Sequence, residues 1–154
     1  MAESGNPIPQ AVSEANYLRF RDDVPADEPA VSLDSFFEQP NAVSVRIEAG
    51  DDPEWLIPHL ARVKLVEVDF PKFRDGRGFS SARILREAGY TGEIKATGDV
   101  LVDLVWFMRR CGFDSFAPEV AIDPAVLEAS LNRYPYVYQD AADAAVPIWK
   151  LRHG

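Results

Sequence analysis

A glycine-rich stretch with basic residues follows an apolar segment at residues 64–69 and carries Arg77, Gly78 and Ser80. Glycine lets the backbone approach a bound group closely, and a guanidinium offers a fork of donors that matches phosphate, sulfate or carboxylate. A helical pattern begins directly afterwards, and an anion at a helix N-terminus interacts favourably with unpaired amides and the helix dipole. The spacing predicts an oxyanion site formed by Arg77, Gly78 and Ser80, with Arg83 in support.

The same stretch also fits an ordinary turn, in which Asp75 and Gly76 are turn residues and Ser80 caps the following helix. It lacks the Gly-Lys-Ser/Thr ending of a P-loop. The pair Gly76 and Gly78 is not followed by the third glycine of a dinucleotide-binding fingerprint. The motif therefore indicates an anion without specifying which one.

A second set of polar residues is expected at the same place. Asp69 ends one strand candidate, Thr97 ends the next, Asp99 follows it, and Asp75 belongs to the glycine-rich loop. Asp69 and Asp99, as a carboxylate pair at one sheet edge, could serve acid–base chemistry or hold Mg²⁺, whereas capping and turn formation are the alternative roles. These residues are a candidate polar site, and no catalytic residue is assigned.

Cysteine and histidine do not form a recognisable ligand set. The chain has one cysteine, Cys111, and two histidines, His59 and His153, in unrelated contexts. This spacing does not resemble a zinc site, and one cysteine cannot hold an iron–sulfur cluster. A Gly-x-Ser-x-Gly elbow is absent too. We therefore expect no metal and no cofactor, and a buried structural role for Cys111.

Composition restricts the class of protein. A chain of 154 residues with 47% hydrophobic and 27% charged residues is typical of one globular domain. No run of about 18 apolar residues is present, and the first residues do not resemble a secretory signal. With one cysteine, no intramolecular disulfide can form. A cytoplasmic protein without a membrane segment is the expectation.

The distribution of charge is more informative than its total. A net charge of -9 argues against a nucleic-acid-binding protein. Residues 1–59 have a net charge of -9, residues 60–113 one of +3, and residues 114–154 one of -3. The basic middle third favours an anionic ligand, although ordinary solvated charge would give the same count.

Apolar periodicity predicts alternating strands and helices. We expect strands near residues 43–47, 64–69, 93–97 and 115–118, and helices that begin near Asp52, Phe79, Asp99 and Asp123. In the first helix, Trp55 should face inward together with Leu56. The third should be a buried helix capped by Asp99. Before these elements, residues 17–20 could form a strand, and residues 31–37 a strand or a short helix capped by Asp34.

Four strand–helix pairs in sequence predict an α/β fold with a small parallel sheet, either an open sheet or half of a barrel. We expect residues 1–40 to form a partly ordered extension, residues 41–140 the α/β domain, and residues 141–154 a tail. In both architectures ligands bind at the carboxyl ends of the strands. An exposed edge of a half-barrel would favour a homodimer.

Three blocks, residues 70–83, 92–101 and 108–113, carry a resemblance to an uncharacterised bacterial family that extends over about residues 30–140. One position departs from it: Leu104 stands where the family usually has glutamine. The family is a domain of unknown function, sometimes labelled an oxidoreductase, with members typically encoded beside sulfite reductase genes. The resemblance implies a role in assimilatory sulfate reduction.

Two functions follow from the loop and the resemblance together. The first is an accessory protein of sulfite reduction without redox centres, which binds an oxyanion through the loop or binds sulfite reductase or its electron donor. The second is a small enzyme that acts on a sulfur-containing or phosphorylated anion at the carboxyl ends of the strands. A substrate-sized pocket beside Arg77 and Asp69 would favour the enzyme.

Overall fold

The structure, a computed structural model, describes residues 11–13, 17–71 and 76–132. Within these residues a single sheet contains the strands β1 (Ala11–Ser13), β2 (Tyr17–Arg19), β3 (Val31–Ser32), β4 (Ser44–Ile47), β5 (Leu65–Phe70), β6 (Glu93–Gly98) and β7 (Ser115–Pro118). The α-helices of this part of the chain are α1 (Leu33–Glu38), α2 (Arg77–Glu87), α3 (Val105–Cys111) and α4 (Pro124–Asn132). Two 3-10 helices span Pro53–Arg62 and Val102–Leu104.

The order of the strands in the sheet is β1-β2-β7-β6-β5-β4-β3. Strands β3 to β7 are parallel, which confirms the predicted α/β fold with parallel strands, while β1 and β2 are antiparallel additions beside β7. From β3 to β7 the order follows the chain without reversal. The helices pack on one another in the same sequence, with α2 between the longer 3-10 helix and α3, and α4 against α3. This arrangement resembles part of a (β/α) barrel more than a doubly wound sheet.

The two faces of the sheet differ because side chains alternate along each strand. In β5, Val66 and Val68 are fully buried in the core beneath the helices. The alternate residues Glu67 and Asp69 lie on the opposite face, on which no helix of the described residues packs and which we call the helix-free face. The apolar core therefore lies between the sheet and one helical layer, and the helix-free face is polar.

The segment before β5 is helical as predicted, but it is a 3-10 helix. Asp52 caps it by accepting a hydrogen bond from the amide of Glu54 at 3.0 Å, and Pro53 follows at the first helical position. The inward orientation expected for Trp55 is wrong: its side chain is 64% exposed, whereas Leu56 is fully buried. With three residues per turn, a 3-10 helix turns the positions adjacent to Leu56 away from the core.

The helix expected to begin at Asp99 begins later, so the predicted capping role of Asp99 is wrong. The amide of Asp99 donates to the carbonyl oxygen of Phe70 at 2.8 Å, and the amide of Val100 donates to that of Gly98 at 3.0 Å. These bonds form a turn instead of a first helical turn. Helix α3 starts only at Val105, after the short 3-10 helix.

The other helix boundaries lie closer to those predicted from the sequence. Helix α2 begins two residues before the predicted Phe79, and α4 is capped as predicted by Asp123, which accepts from the amide of Ala125 at 2.9 Å. Residues 31–37 form both a strand and a helix. The cap of α1 is Ser32, which accepts from the amide of Ser35, and not Asp34.

Asp114, at the start of β7, binds arginines from three separate segments. Arg86 of α2 lies 2.5 Å and Arg21 3.0 Å from one carboxylate oxygen, and Arg109 of α3 lies 3.7 Å from the other. The carboxylate also accepts from the amide of Ile94 in β6 at 3.3 Å. This cluster, the Asp114 cluster, connects the sheet, two helices and the segment that follows β2.

We predict that Asp114→Ala lowers the free energy of unfolding by about 3 kcal/mol, because it leaves three largely buried guanidinium groups without their shared carboxylate. Chemical denaturation with urea measures this change. Asp103→Ala, which removes an exposed carboxylate, is the control and should change stability by less than about 0.5 kcal/mol. Equal effects of the two substitutions would contradict a central role for Asp114.

Candidate functional site

The predicted oxyanion loop leads into α2 at the carboxyl end of β5. Residues 72–75, and with them the candidate Asp75, lie outside the described residues. Gly76 is the N-cap residue and has helical backbone angles, with φ -74° and ψ -7°. Arg77 is the first residue of α2, and both Arg77 and Ser80 are exposed in its first turn. Ser80 therefore lies inside the helix, and its predicted capping role is wrong.

Gly78 is buried against an aromatic ring. A Cβ atom at this position would lie 2.5 Å from two atoms of the Phe70 ring, so only glycine fits without displacing that ring. Phe70 in turn packs on Phe79 and Phe113, at centroid distances of 5.3 and 5.7 Å. Packing explains Gly78 independently of any ligand, and the inner side of the first turn of α2 is filled.

The supporting arginine of the predicted site has an internal partner. Arg83 lies 3.9 Å from Glu87, one turn further along α2, and both side chains are largely exposed. Exposed pairs of this kind contribute little to stability. The pair reduces the positive charge that Arg83 offers to a ligand.

Asp69 and Thr97, which the sequence analysis places at the ends of successive strands, lie side by side. They are register partners in β5 and β6, and the hydroxyl of Thr97 donates to the Asp69 carboxylate at 3.1 Å. Both lie on the helix-free face, while the first turn of α2 belongs to the helical layer. The polar residues Asp69 and Thr97 and the oxyanion residues in the first turn of α2 thus lie at the same edge of the sheet but on opposite faces.

Gly98 links the carboxyl ends of three strands. Its φ is +91°, and a Cβ atom there would lie 2.5 Å from the carbonyl oxygen of Phe70. The carbonyl of Gly98 accepts from the amide of Glu119, after β7, at 2.9 Å. Since Asp99 bonds to Phe70 in the same place, the predicted polar residues are held on a backbone scaffold that requires glycine.

A groove of about 390 Å³ opens at this edge beside Asp99, between the segments that follow β6 and β7. Its walls combine carboxylates with apolar side chains, and consist of residues 98–102, 119–123 and Val126. Neither Arg77 nor Asp69 contributes to these walls. Its lining favours a ligand with an apolar part over a small anion.

A row of charges on the helix-free face was missed by the sequence analysis. Arg46, Glu67 and Lys95 occupy register positions on three adjacent strands, with Arg46 3.4 Å and Lys95 3.7 Å from the Glu67 carboxylate. The alternation of polar and apolar residues at 44–47, 66–70 and 93–97 was the signal. A parallel sheet covered on both faces would have continuous apolar strands instead.

A second polar group lies beside this row, at the amino end of β6. The buried carboxylate of Glu93 accepts from Tyr17 and Arg19, each at 3.1 Å, and from Ser115. Burial, followed by the negative charge of Glu93, raises the pKa of Tyr17 to about 12. These contacts attach β2 to the parallel part of the sheet.

Within residues 11–13, 17–71 and 76–132, no group of three or more His, Cys, Asp or Glu side chains is arranged to hold a metal ion. No helix in this part of the chain has the length and apolar character needed to cross a membrane. Cys111 is buried, as expected for a structural thiol.

Residues 44–149 match the family described as bacterial protein of unknown function (DUF934). The chain belongs to this family. The matched segment begins at β4 and includes all of the carboxyl edge described above, so the resemblance to an uncharacterised bacterial family is confirmed. No curated protein and no solved structure matches this DUF934 chain.

We predict that Gly78→Ala in this DUF934 chain lowers the free energy of unfolding by about 1–3 kcal/mol, because the methyl group must displace the Phe70 ring. Gly76→Ala is the matched control, since a Cβ atom there meets nothing within 4 Å. Thermal and urea unfolding of both variants measure the difference. Equal stability of the two would show that Gly78 does not pack as described.

We predict a loss of stability between pH 10 and 12 that depends on Tyr17. The pKa of Tyr17 is 10.0 ordinarily and about 12 in the folded chain, so the unfolded chain releases this proton first as the pH rises. The contribution is complete below pH 10 and is lost as the pH passes 12. Urea unfolding at pH 8 and pH 11 should show a smaller decline for Tyr17→Phe than for the unmodified chain; equal declines would contradict the assignment.

Proposed function

We propose that this chain is a cytoplasmic accessory protein of assimilatory sulfite reduction that binds an oxyanion, or the sulfite reductase system, through the loop between β5 and α2. The observation that carries the proposal is the start of α2 at the carboxyl end of β5, with Arg77 and Ser80 exposed in its first turn. Ligands of parallel α/β proteins bind at this edge.

The chemistry of the helix start supports an anion. The first amides of an α-helix have no intrahelical acceptor, and the N-cap residue Gly76 has no side chain to satisfy them. An oxyanion would accept from these amides and interact with the helix dipole. Arg77 would add a charged donor from the same turn, and the hydroxyl of Ser80 a neutral one.

The family resemblance is the reason for proposing a role in sulfite reduction. Members of the uncharacterised family that residues 70–83 resemble are typically encoded beside sulfite reductase genes, and sulfite and sulfate are oxyanions. The sequence carries no complete cofactor motif, so a role beside a redox enzyme is favoured over redox chemistry in this chain. Its partner would be sulfite reductase or the electron donor of that enzyme, and a homodimer is compatible with the same role.

A small enzyme acting on a sulfur-containing or phosphorylated anion is the second candidate. The hydrogen bond between Thr97 and Asp69 favours it, because it holds a carboxylate at the ligand-binding edge in a fixed orientation. The groove beside Asp99 offers room for the rest of a substrate. Turnover of such an anion by the purified chain, lost in Asp69→Asn, would favour the enzyme over the accessory protein.

Association with sulfite reductase tests the accessory role directly. The tagged chain should co-purify with sulfite reductase or its electron donor from cells grown with sulfate as the sulfur source. The same tag on an unrelated acidic protein of similar size is the control for charge. Equal recovery of the enzyme with both proteins would count against the proposal.

We predict that Arg77→Ala weakens oxyanion binding tenfold or more with little loss of stability, because a hydrogen bond to a charged group contributes about 1.5–3 kcal/mol. Titration calorimetry with sulfite, sulfate and phosphate measures the affinity, and thermal unfolding measures the stability. Arg46→Ala, which removes an arginine from the helix-free face, is the matched control.

A different result would identify Arg77 as a structural residue. In that case Arg77→Ala lowers the melting temperature, and none of the three anions stabilises or binds the unmodified chain. That combination would contradict the oxyanion site while leaving the family assignment intact.

A further inference from the structure

We propose that the groove between α1 and the longer 3-10 helix is a docking surface for a partner protein segment that combines an apolar anchor with basic residues. We call it the aromatic groove. It has a volume of about 620 Å³ and is lined by Phe37, Asp52, Glu54, Trp55, Pro58 and His59. It shares no residue with the loop before α2, so the inference goes beyond the proposed oxyanion site and does not rest on it.

The first observation is the exposure of two large aromatic side chains in one place. Trp55 is 64% and Phe37 38% exposed. Single exposed apolar residues are normal, but an apolar patch with a polar rim marks an interaction site. Tryptophan is also among the residues that contribute most binding energy at the centre of protein interfaces.

The local fold explains why Trp55 faces solvent. In a 3-10 helix, residues three apart lie on the same side. Leu56 occupies the inner side and is fully buried. Trp55 and Pro58 share a different side, which forms one wall of the aromatic groove. The 3-10 geometry thus fixes the exposure of the indole.

Contacts within the chain hold the walls of the aromatic groove in position in the absence of a partner. The guanidinium of Arg62, at the end of the 3-10 helix, lies 3.9 Å from the Phe36 ring centroid and donates to the carbonyl oxygens of Phe36 and Pro40 at the end of α1. His59 packs on the ring of Phe37, at a centroid distance of 5.2 Å. A preformed surface loses less conformational entropy on binding than a flexible one.

The charge around the aromatic groove indicates the kind of partner that would bind there. The carboxylates of Asp52 and Glu54 belong to the groove, and the adjacent helix α1 carries the exposed Asp34 and Glu38. They lie in the part of the chain, residues 1–59, that has a net charge of -9. An acidic rim around aromatic residues is complementary to lysine or arginine next to a leucine, methionine or aromatic side chain.

Selection from a displayed library of random linear peptides, with the full chain as bait, tests the inference. Enriched peptides should carry a net positive charge and at least one large apolar residue. Synthetic copies labelled with a fluorophore should bind the chain, as measured by fluorescence anisotropy, with an affinity that falls as salt increases. Binding to Trp55→Ala should be tenfold or more weaker, because the indole is the central contact.

Two further variants separate the contributions. Glu54→Gln should weaken binding and reduce its salt dependence, since it removes one rim charge without changing the shape of the groove. Val24→Ala removes an exposed apolar side chain from another surface and should leave binding unchanged. Thermal unfolding of each variant shows whether the fold is retained, and Phe37→Ala replaces Trp55→Ala if the latter does not fold.

Each of three results would overturn the inference. The first is enrichment of acidic or neutral peptides, or of none. The second is equal binding of the enriched peptides to Trp55→Ala or Phe37→Ala. The third is self-association of the chain that is lost in Trp55→Ala, because a second copy would then occupy the aromatic groove. The Arg77→Ala variant should bind the peptides normally, so failure here is distinguishable from failure of the oxyanion site.

Discussion

The Asp114 carboxylate is the constraint on which the rest of this fold depends. It lies immediately before β7 and binds arginines from α2, α3 and the segment after β2. Arg86 also donates to the carbonyl oxygens of Gly112, Tyr90 and Gly92, which close the loops at the amino end of the sheet. A buried charge with several donors is costly to disrupt, so this end of the molecule is fixed.

The opposite end is held together by main-chain hydrogen bonds. There Phe70, Gly98 and Glu119 are connected through main-chain hydrogen bonds, and Gly98 is required by its positive φ. In (β/α) barrels, one end of the sheet provides stability and the other provides function.

The parts of the fold that repeat with a clear period could be predicted from the sequence, and the parts decided by tertiary contacts could not. Strands β4 to β7 and the placement of Asp69 and Thr97 at one edge of the sheet followed from alternation and strand order. Trp55 was misplaced because a pattern of apolar residues does not distinguish a 3-10 helix from an α-helix over two or three turns. The start of α3 depends on the acceptor that Phe70 offers to Asp99, which lies far away in the sequence.

The packing of Gly78 and the internal contacts of the basic residues limit which groups could bind an anion. Much of the positive charge of residues 60–113 serves the fold: Arg86 and Arg109 bind Asp114, Lys95 binds Glu67, and Arg62 binds the end of α1. Net charge therefore overstates the field that this third of the chain presents to solvent. The proposed oxyanion would instead be held by the first amides of α2 together with Arg77, because a helix start attracts an anion whatever the total charge of the chain.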